Sequence, residues 1–143
     1  MADQPYQDLE AWHTTVRLAA SVGRLRIGSN LKASADAQSH AFEHAGEACA
    51  LVAEAAAREG GAQVALFRDA RGALAQCRAW LHILAAVTNE QDTVFANELE
   101  LADQASRQIL AQLRVLERAN PRPPGRGGPP PRGAGRPAAG GPR

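Results

Sequence analysis

Between residues 62 and 87, apolar side chains recur in alternating steps of three and four: Phe67, Ala70, Leu74, Cys77, Leu81 and Leu84. An α-helix turns once every ~3.6 residues, so this spacing sets all six on one face. A strand would send neighbouring side chains to opposite faces and would scatter the same residues. A helix with one continuous apolar stripe has to bury it against another element. Trp80 lies at the edge of the stripe and widens it.

Three further stretches repeat the pattern. The first runs from about Asp8 to Leu25, with Leu9, Trp12, Val16, Ala19 and Gly23 on one face. Gly28-Ser29-Asn30 reads as a turn. The second runs from about Ser34, a candidate N-cap, to Arg58, with Phe42, Ala45, Cys49, Val52 and Ala56 as its stripe. Gly60-Gly61 reads as its end. The fourth starts near Asp92 or Thr93 and runs to about Arg118, with Phe95, Leu99, Ala102, Ser106, Ile109, Leu113 and Leu116 aligned. Hydrophobic residues make up 45% of the chain but aromatics only 4%, which favours helices packed through small and aliphatic side chains over a sandwich of strands. No stretch reads as a strand. The predicted fold is all-α: an antiparallel up-down-up-down four-helix bundle over residues 8–120, after a lead-in of residues 1–7. The heptad-like spacing predicts helices crossing at about 20°.

From Pro121 onward the residues are almost all Pro, Gly, Ala and Arg. Such a segment has no large apolar side chain to offset the entropy of ordering, so residues 121–143 are predicted to be a disordered tail. The net charge of +1 divides unevenly along the chain. The tail holds Arg122, Arg126, Arg132, Arg136 and Arg143 with no acid, which leaves eleven of the sixteen Lys and Arg against all fifteen Asp and Glu in residues 1–120. The expected plan is a mildly acidic body with a basic extension. No window approaches the ~18 consecutive apolar residues of a membrane span, and the polar start, Met1 to Glu10, lacks the apolar core of a secretory signal. A cytoplasmic protein is expected, with Cys49 and Cys77 reduced and serving as small core residues.

Catalytic patterns are missing from the sequence: it has no glycine-rich phosphate loop, nucleophile elbow or His-Glu-x-x-His. His40 and His44 stand four apart, a spacing that can share a metal, but no Glu-x-x-His pair accompanies them on two helices. A solvated helix face is the expected role, with no metal and no cofactor. Arginines are better placed for function. Arg68, Arg71 and Arg78 line one stripe of the third helix, and Arg107, Arg114 and Arg118 one stripe of the fourth. If the two helices are neighbours, the stripes merge into a patch whose planar guanidinium forks suit phosphate. The alternative is an ion-paired, solvated face, since Asp69, Asp103 and Glu117 lie close by in sequence. Arg122, Arg126 and Arg132 in the tail can attract phosphate, but without aromatic side chains they cannot read bases. Trp12, Phe42, Phe67 and Phe95 are expected in the core, and Trp80 at a subunit interface.

Several segments resemble one known group of proteins. Tyr6-Gln7-Asp8-Leu9-Glu10-Ala11-Trp12 resembles the opening of the 23S rRNA intervening-sequence family of four-helix-bundle proteins. Phe67-Arg68-Asp69-Ala70-Arg71-Gly72-Ala73-Leu74-Ala75-Gln76 is similar to that family's third helix. Its continuation, Cys77 to Ala85, looks like the accessory variability determinant (Avd) branch, which belongs to diversity-generating retroelements. Asp103 to Leu110 resembles a segment of the family's fourth helix. The resemblance implies a homopentameric bundle without enzymatic activity. In the Avd branch it implies binding to RNA or DNA and to the retroelement's reverse transcriptase. Two functions are therefore expected as alternatives: a nucleic-acid- and reverse-transcriptase-binding accessory module, or a protein-interaction homo-oligomer with no nucleic-acid role. Neither involves a membrane or a small-molecule substrate.

Overall fold

The computed structural model of the chain describes residues 5–90 and 92–119. The tail, with Arg122, Arg126 and Arg132, lies outside them. A one-turn 3-10 segment, Pro5–Asp8, leads into α1 (Glu10–Gly23). Then come α2 (Lys32–Ala56), α3 (Gly60–Val87), a second 3-10 turn (Asp92–Phe95) and α4 (Ala96–Ala119). The described residues are all-helical, with four helices and no strand. α1 packs on α2 and α4, and α3 packs on α2 and α4, so the four close a ring around a shared core. None of the described helices is long and apolar enough to cross a membrane.

α3 follows the sequence pattern most closely. Phe67, Ala70, Leu74, Cys77, Leu81 and Leu84 are all buried. Its end is closed by backbone geometry. Asn89 adopts φ 59°, a left-handed conformation that asparagine tolerates better than most residues. That turn lets the Asn89 N–H donate to the Ala86 carbonyl at 3.2 Å and the Glu90 N–H to the Ala85 carbonyl at 2.8 Å. Two otherwise orphaned carbonyls are satisfied, and the Thr88 hydroxyl adds a 2.8 Å bond to the Leu84 carbonyl, which also accepts the Thr88 N–H at 3.0 Å.

The α2–α3 connection departs from expectation. Gly60-Gly61 opens α3 instead of closing α2, which already ends at Ala56. Gly60 takes φ +64°, which favours glycine at this junction. The last turn of α2 is closed by the Ala57 and Arg58 N–H groups, which donate to the Glu54 and Ala55 carbonyls at 3.0 and 3.1 Å, and the Gln63 amide of α3 adds a second 3.1 Å bond to Ala55. Ser34 is not the N-cap of α2 either; Leu31 holds that place with no side-chain cap bond. Ser34 is buried, and its hydroxyl donates to Ser29 Oγ at 3.1 Å.

The core faces of α1 and α2 are rotated by about one residue from those expected. On α2 the buried stripe is Ala37, Ala41, Ala45, Ala48, Val52 and Ala55, so Phe42 lies outside the core at 49% exposure and Cys49 is half-buried. The physical reason is the close fit of α2 to α3, the most extensive helix pair in the protein. Alanines let two backbones approach, and a phenylalanine ring on that face would hold them apart. Phe42 instead lies over Gly23, where a Cβ would come within 3.0 Å of the ring. On α1 the buried face is Ala11, Thr14, Thr15, Leu18 and Val22, while Val16 and Gly23 are exposed and Trp12 only edges onto the core. The threonines can be interior because their hydroxyls donate to carbonyls of their own helix, Thr14 to Glu10 at 3.0 Å and Thr15 to Trp12 at 2.7 Å.

On α4, Ala102, Ile109 and Leu113 are buried with Phe95 just before it, while Leu99, Ser106 and Leu116 are half-buried. α4 also buries a carboxylate. Glu98 is 6% exposed and accepts a 2.9 Å hydrogen bond from the Ser21 hydroxyl of α1.

Candidate nucleic-acid interface

α3 and α4 are neighbours, so the two arginine stripes do share one side of the protein. Carboxylates share it with them. Arg78 meets Asp103 across the seam at 2.9 Å, and Arg68 meets Glu117 at 3.5 Å. Arg107 pairs with Glu100 on its own helix at 2.9 Å. Arg71 is half-buried, and its Nε donates to Ser106 Oγ at 3.4 Å. Exposed pairs of this kind are worth only about 0–1 kcal/mol each, so the arginines are not locked away. Their charge is nevertheless cancelled locally, and the middle of the seam is not a basic patch.

Two members of the set differ. Arg114 and Arg118 stand one turn apart on the last two turns of α4, both exposed. Glu117, three residues after Arg114, reaches across to Arg68 instead. Among the described residues neither Arg114 nor Arg118 has an ion-pair partner within 4 Å. Directly beyond them in sequence come five more arginines and no acid.

A second basic group went unmarked by the helix-face pattern. Arg17 on α1, Arg24 at its C-cap and Arg26 just after it border one open cleft of about 530 Å³ between α1 and the start of α4. All three are exposed, and none pairs with a carboxylate among the described residues. The sequence does carry a sign of this group: from Ala11 to Ala35 there is no acidic residue at all. No single helix face shows it, because Arg24 and Arg26 both lie beyond the end of α1.

The remaining candidates are engaged with close neighbours. Trp80 is half-buried, with the His40 ring stacked on it at 4.2 Å between centroids and 20° between planes. His40 also lies 3.7 Å from Glu43, and His44 lies 3.1 Å from Glu47. The described residues contain no group of three or more His, Cys, Asp or Glu arranged to hold a metal ion.

Burial pushes the Cys77 thiol from its ordinary 9.0 up to about 12, and burial also raises Cys49, against smaller opposing effects of hydrogen bonds with Thr15 and Trp12. A thiol kept neutral by burial is inert, since the thiolate is the reactive form. Cys77 is therefore expected to resist a thiol reagent in the native protein at pH 8 and to react at once in denaturant. The sign of the pH effect follows from the same shift. The folded protein holds the Cys77 proton more tightly than the unfolded chain, so this contribution to stability is complete below about pH 9 and is lost as pH rises toward about 12. Urea unfolding of the wild type and of Cys77→Ala, followed from pH 8 to 10.5, reads it; the variant should show the weaker alkaline decline.

No protein-family model matches the chain, and no curated protein or solved structure matches it. Among the described residues, fold and site together define an all-helical arrangement of four helices with a neutralised central seam and two separate groups of arginines that have no carboxylate partner there.

Proposed function

We propose that this protein is a non-enzymatic helical-bundle accessory protein that binds nucleic acid through the end of α4 and the arginines that follow it. One observation carries this reading: Arg114 and Arg118 are exposed, lack carboxylate partners among the described residues, and lead directly into a run of five arginines without an acid. In this reading the helices run up-down-up-down. Supporting it, Arg68 meets Glu117 and Arg78 meets Asp103, so rising position on α3 meets falling position on α4. Ser21, near the end of α1, likewise meets Glu98 at the start of α4. The tail, with five arginines and no acid, serves in this reading as a charged tether. The exposed edge of Trp80 is a subunit contact, and oligomerisation gathers several tethers on one nucleic acid, multiplying weak contacts. The segments that resemble the Avd branch favour a cytoplasmic homopentamer with a reverse transcriptase as protein partner.

A second reading is a protein-interaction homo-oligomer without a nucleic-acid role. It is favoured by the carboxylates that meet Arg68, Arg78 and Arg107 on the seam.

Salt dependence of RNA binding separates the two. Each backbone phosphate engaged on a single strand contributes a slope of roughly −0.7 to log K against log salt. Wild-type protein is expected to retain labelled single-stranded RNA at ~50 mM salt and to release it steeply as salt rises. Arg114→Ala with Arg118→Ala should flatten the slope by roughly 1.4, and removing residues 121–143 should flatten it further. A wild-type protein that assembles but ignores RNA at low salt establishes the second reading.

A further inference from the structure

The arginines at the exit of α1 are at the other end of α4 from Arg114 and Arg118, and they have a setting of their own. Arg24 is the C-cap residue of α1, and its N–H donates to the Ala20 carbonyl at 3.1 Å. The loop beyond it is clasped by α2. The Gln38 amide nitrogen donates to the Val22 carbonyl at 3.0 Å and to the Leu25 carbonyl at 2.8 Å. One side chain thus fixes the backbone on both sides of Arg24 and just before Arg26. The guanidiniums are presented from a held frame and not from a loose loop.

Their cleft combines three kinds of surface. Arg17, Arg24 and Arg26 supply charge, Leu25 and Leu101 supply apolar wall, and Ser21 and Asn97 supply polar groups. Glu98 also borders the cleft, but it is buried and accepts the Ser21 hydroxyl, while the Asn97 amide donates to Ser21 Oγ at 3.4 Å. Counting that carboxylate, three guanidiniums leave a surplus of two positive charges. Like charges gathered in excess of their counter-charge repel one another, and an anion in the cleft relieves that repulsion. Arginine forks match phosphate oxygens in paired hydrogen bonds better than lysine does. The cleft volume of about 530 Å³ exceeds what one phosphate needs and falls within the ~300–1,000 Å³ of small-molecule sites.

We infer that the cleft between α1 and the start of α4 is a binding site for a small molecule carrying two or more linked phosphates, held by Arg17, Arg24 and Arg26. The apolar wall of Leu25 and Leu101 takes the organic part of such a ligand. This inference is independent of nucleic-acid binding at the far end of α4.

Tripolyphosphate is the probe, titrated into the full-length, isotope-labelled protein at ~50 mM salt while backbone amides are followed by NMR. Saturable shifts are expected at residues 24–27 and 97–101. In Arg24→Gln with Arg26→Gln the affinity read at those amides should fall at least tenfold, while the helical circular dichroism stays that of the wild type. Arg114→Gln with Arg118→Gln should leave those shifts unchanged. The inference is overturned if the shifts are confined to the tail, if they persist undiminished in the Arg24/Arg26 variant, or if single-stranded RNA moves these amides and tripolyphosphate does not. Retention of RNA on the wild type is read separately, so either proposal can fail alone.

Discussion

Replacing Leu81 by alanine is expected to lower the free energy of unfolding by about 2–5 kcal/mol. Leu81 has no exposed surface and belongs to the main core cluster, in which all four helices take part. Its removal loses the transfer of its side chain out of water and leaves a void. The surrounding alanines and leucines sit on rigid helices and cannot fully close it. A domain of this size has only about 5–15 kcal/mol of stability in total, so the variant is expected to be barely folded at 37 °C. Urea unfolding followed by helical circular dichroism measures the loss. Ile83, two residues on and 42% exposed, is the control; Ile83→Ala should fall within about 0.5 kcal/mol of the wild type. Equal costs at the two positions would mean that α3 does not bury the face described here.

Adjacent positions on α2 are expected to respond to added carbon with opposite signs. Ala45 is wholly buried in the alanine stripe that faces α3. A leucine there has no space and must push the two closest helices apart, at a cost of about 1–3 kcal/mol. Gly46 is next in sequence but turned away, and a Cβ built on it meets nothing within 4 Å. Gly46→Ala is expected to stabilise by about 0.5–1 kcal/mol, because alanine has less backbone entropy to lose in a helix. Thermal unfolding of the two variants beside the wild type checks both signs. A neutral Ala45→Leu would show that α2 and α3 are not in close contact.

The fold was readable where size and burial agree. On α3 the large side chains Phe67, Leu74, Leu81 and Leu84 are buried, and with the buried Ala70 and Cys77 between them they complete the 3-4 spacing that identifies the face. On α2 they disagree, since alanines are inside and Phe42 is outside. Hydrophobicity assigns the largest side chain to the core, but the distance between two backbones decides whether a large side chain fits. Thr14 and Thr15 misled in the opposite direction: polar in sequence, they have their hydroxyls satisfied within their own turn and pack as valine would. The site was legible only in part. The arginine stripes on α3 and α4 do share a side, but Glu117 and Glu100 find partners a linear reading does not suggest, one across the seam and one seven residues up its own helix. The Arg17, Arg24 and Arg26 group forms only when α1, its exit loop and the start of α4 meet.

The resting place of Phe42 has a consequence for how this sequence can drift. A Cβ at position 23 would come within 3.0 Å of the ring, so a side chain there must shift it, and the ring, 49% exposed, moves outward into solvent because the alanine-lined interior has no room for it. Positions 23 and 42 are therefore sterically coupled: a residue larger than glycine at the first uncovers more of the ring at the second, and a smaller residue at the second relieves that contact.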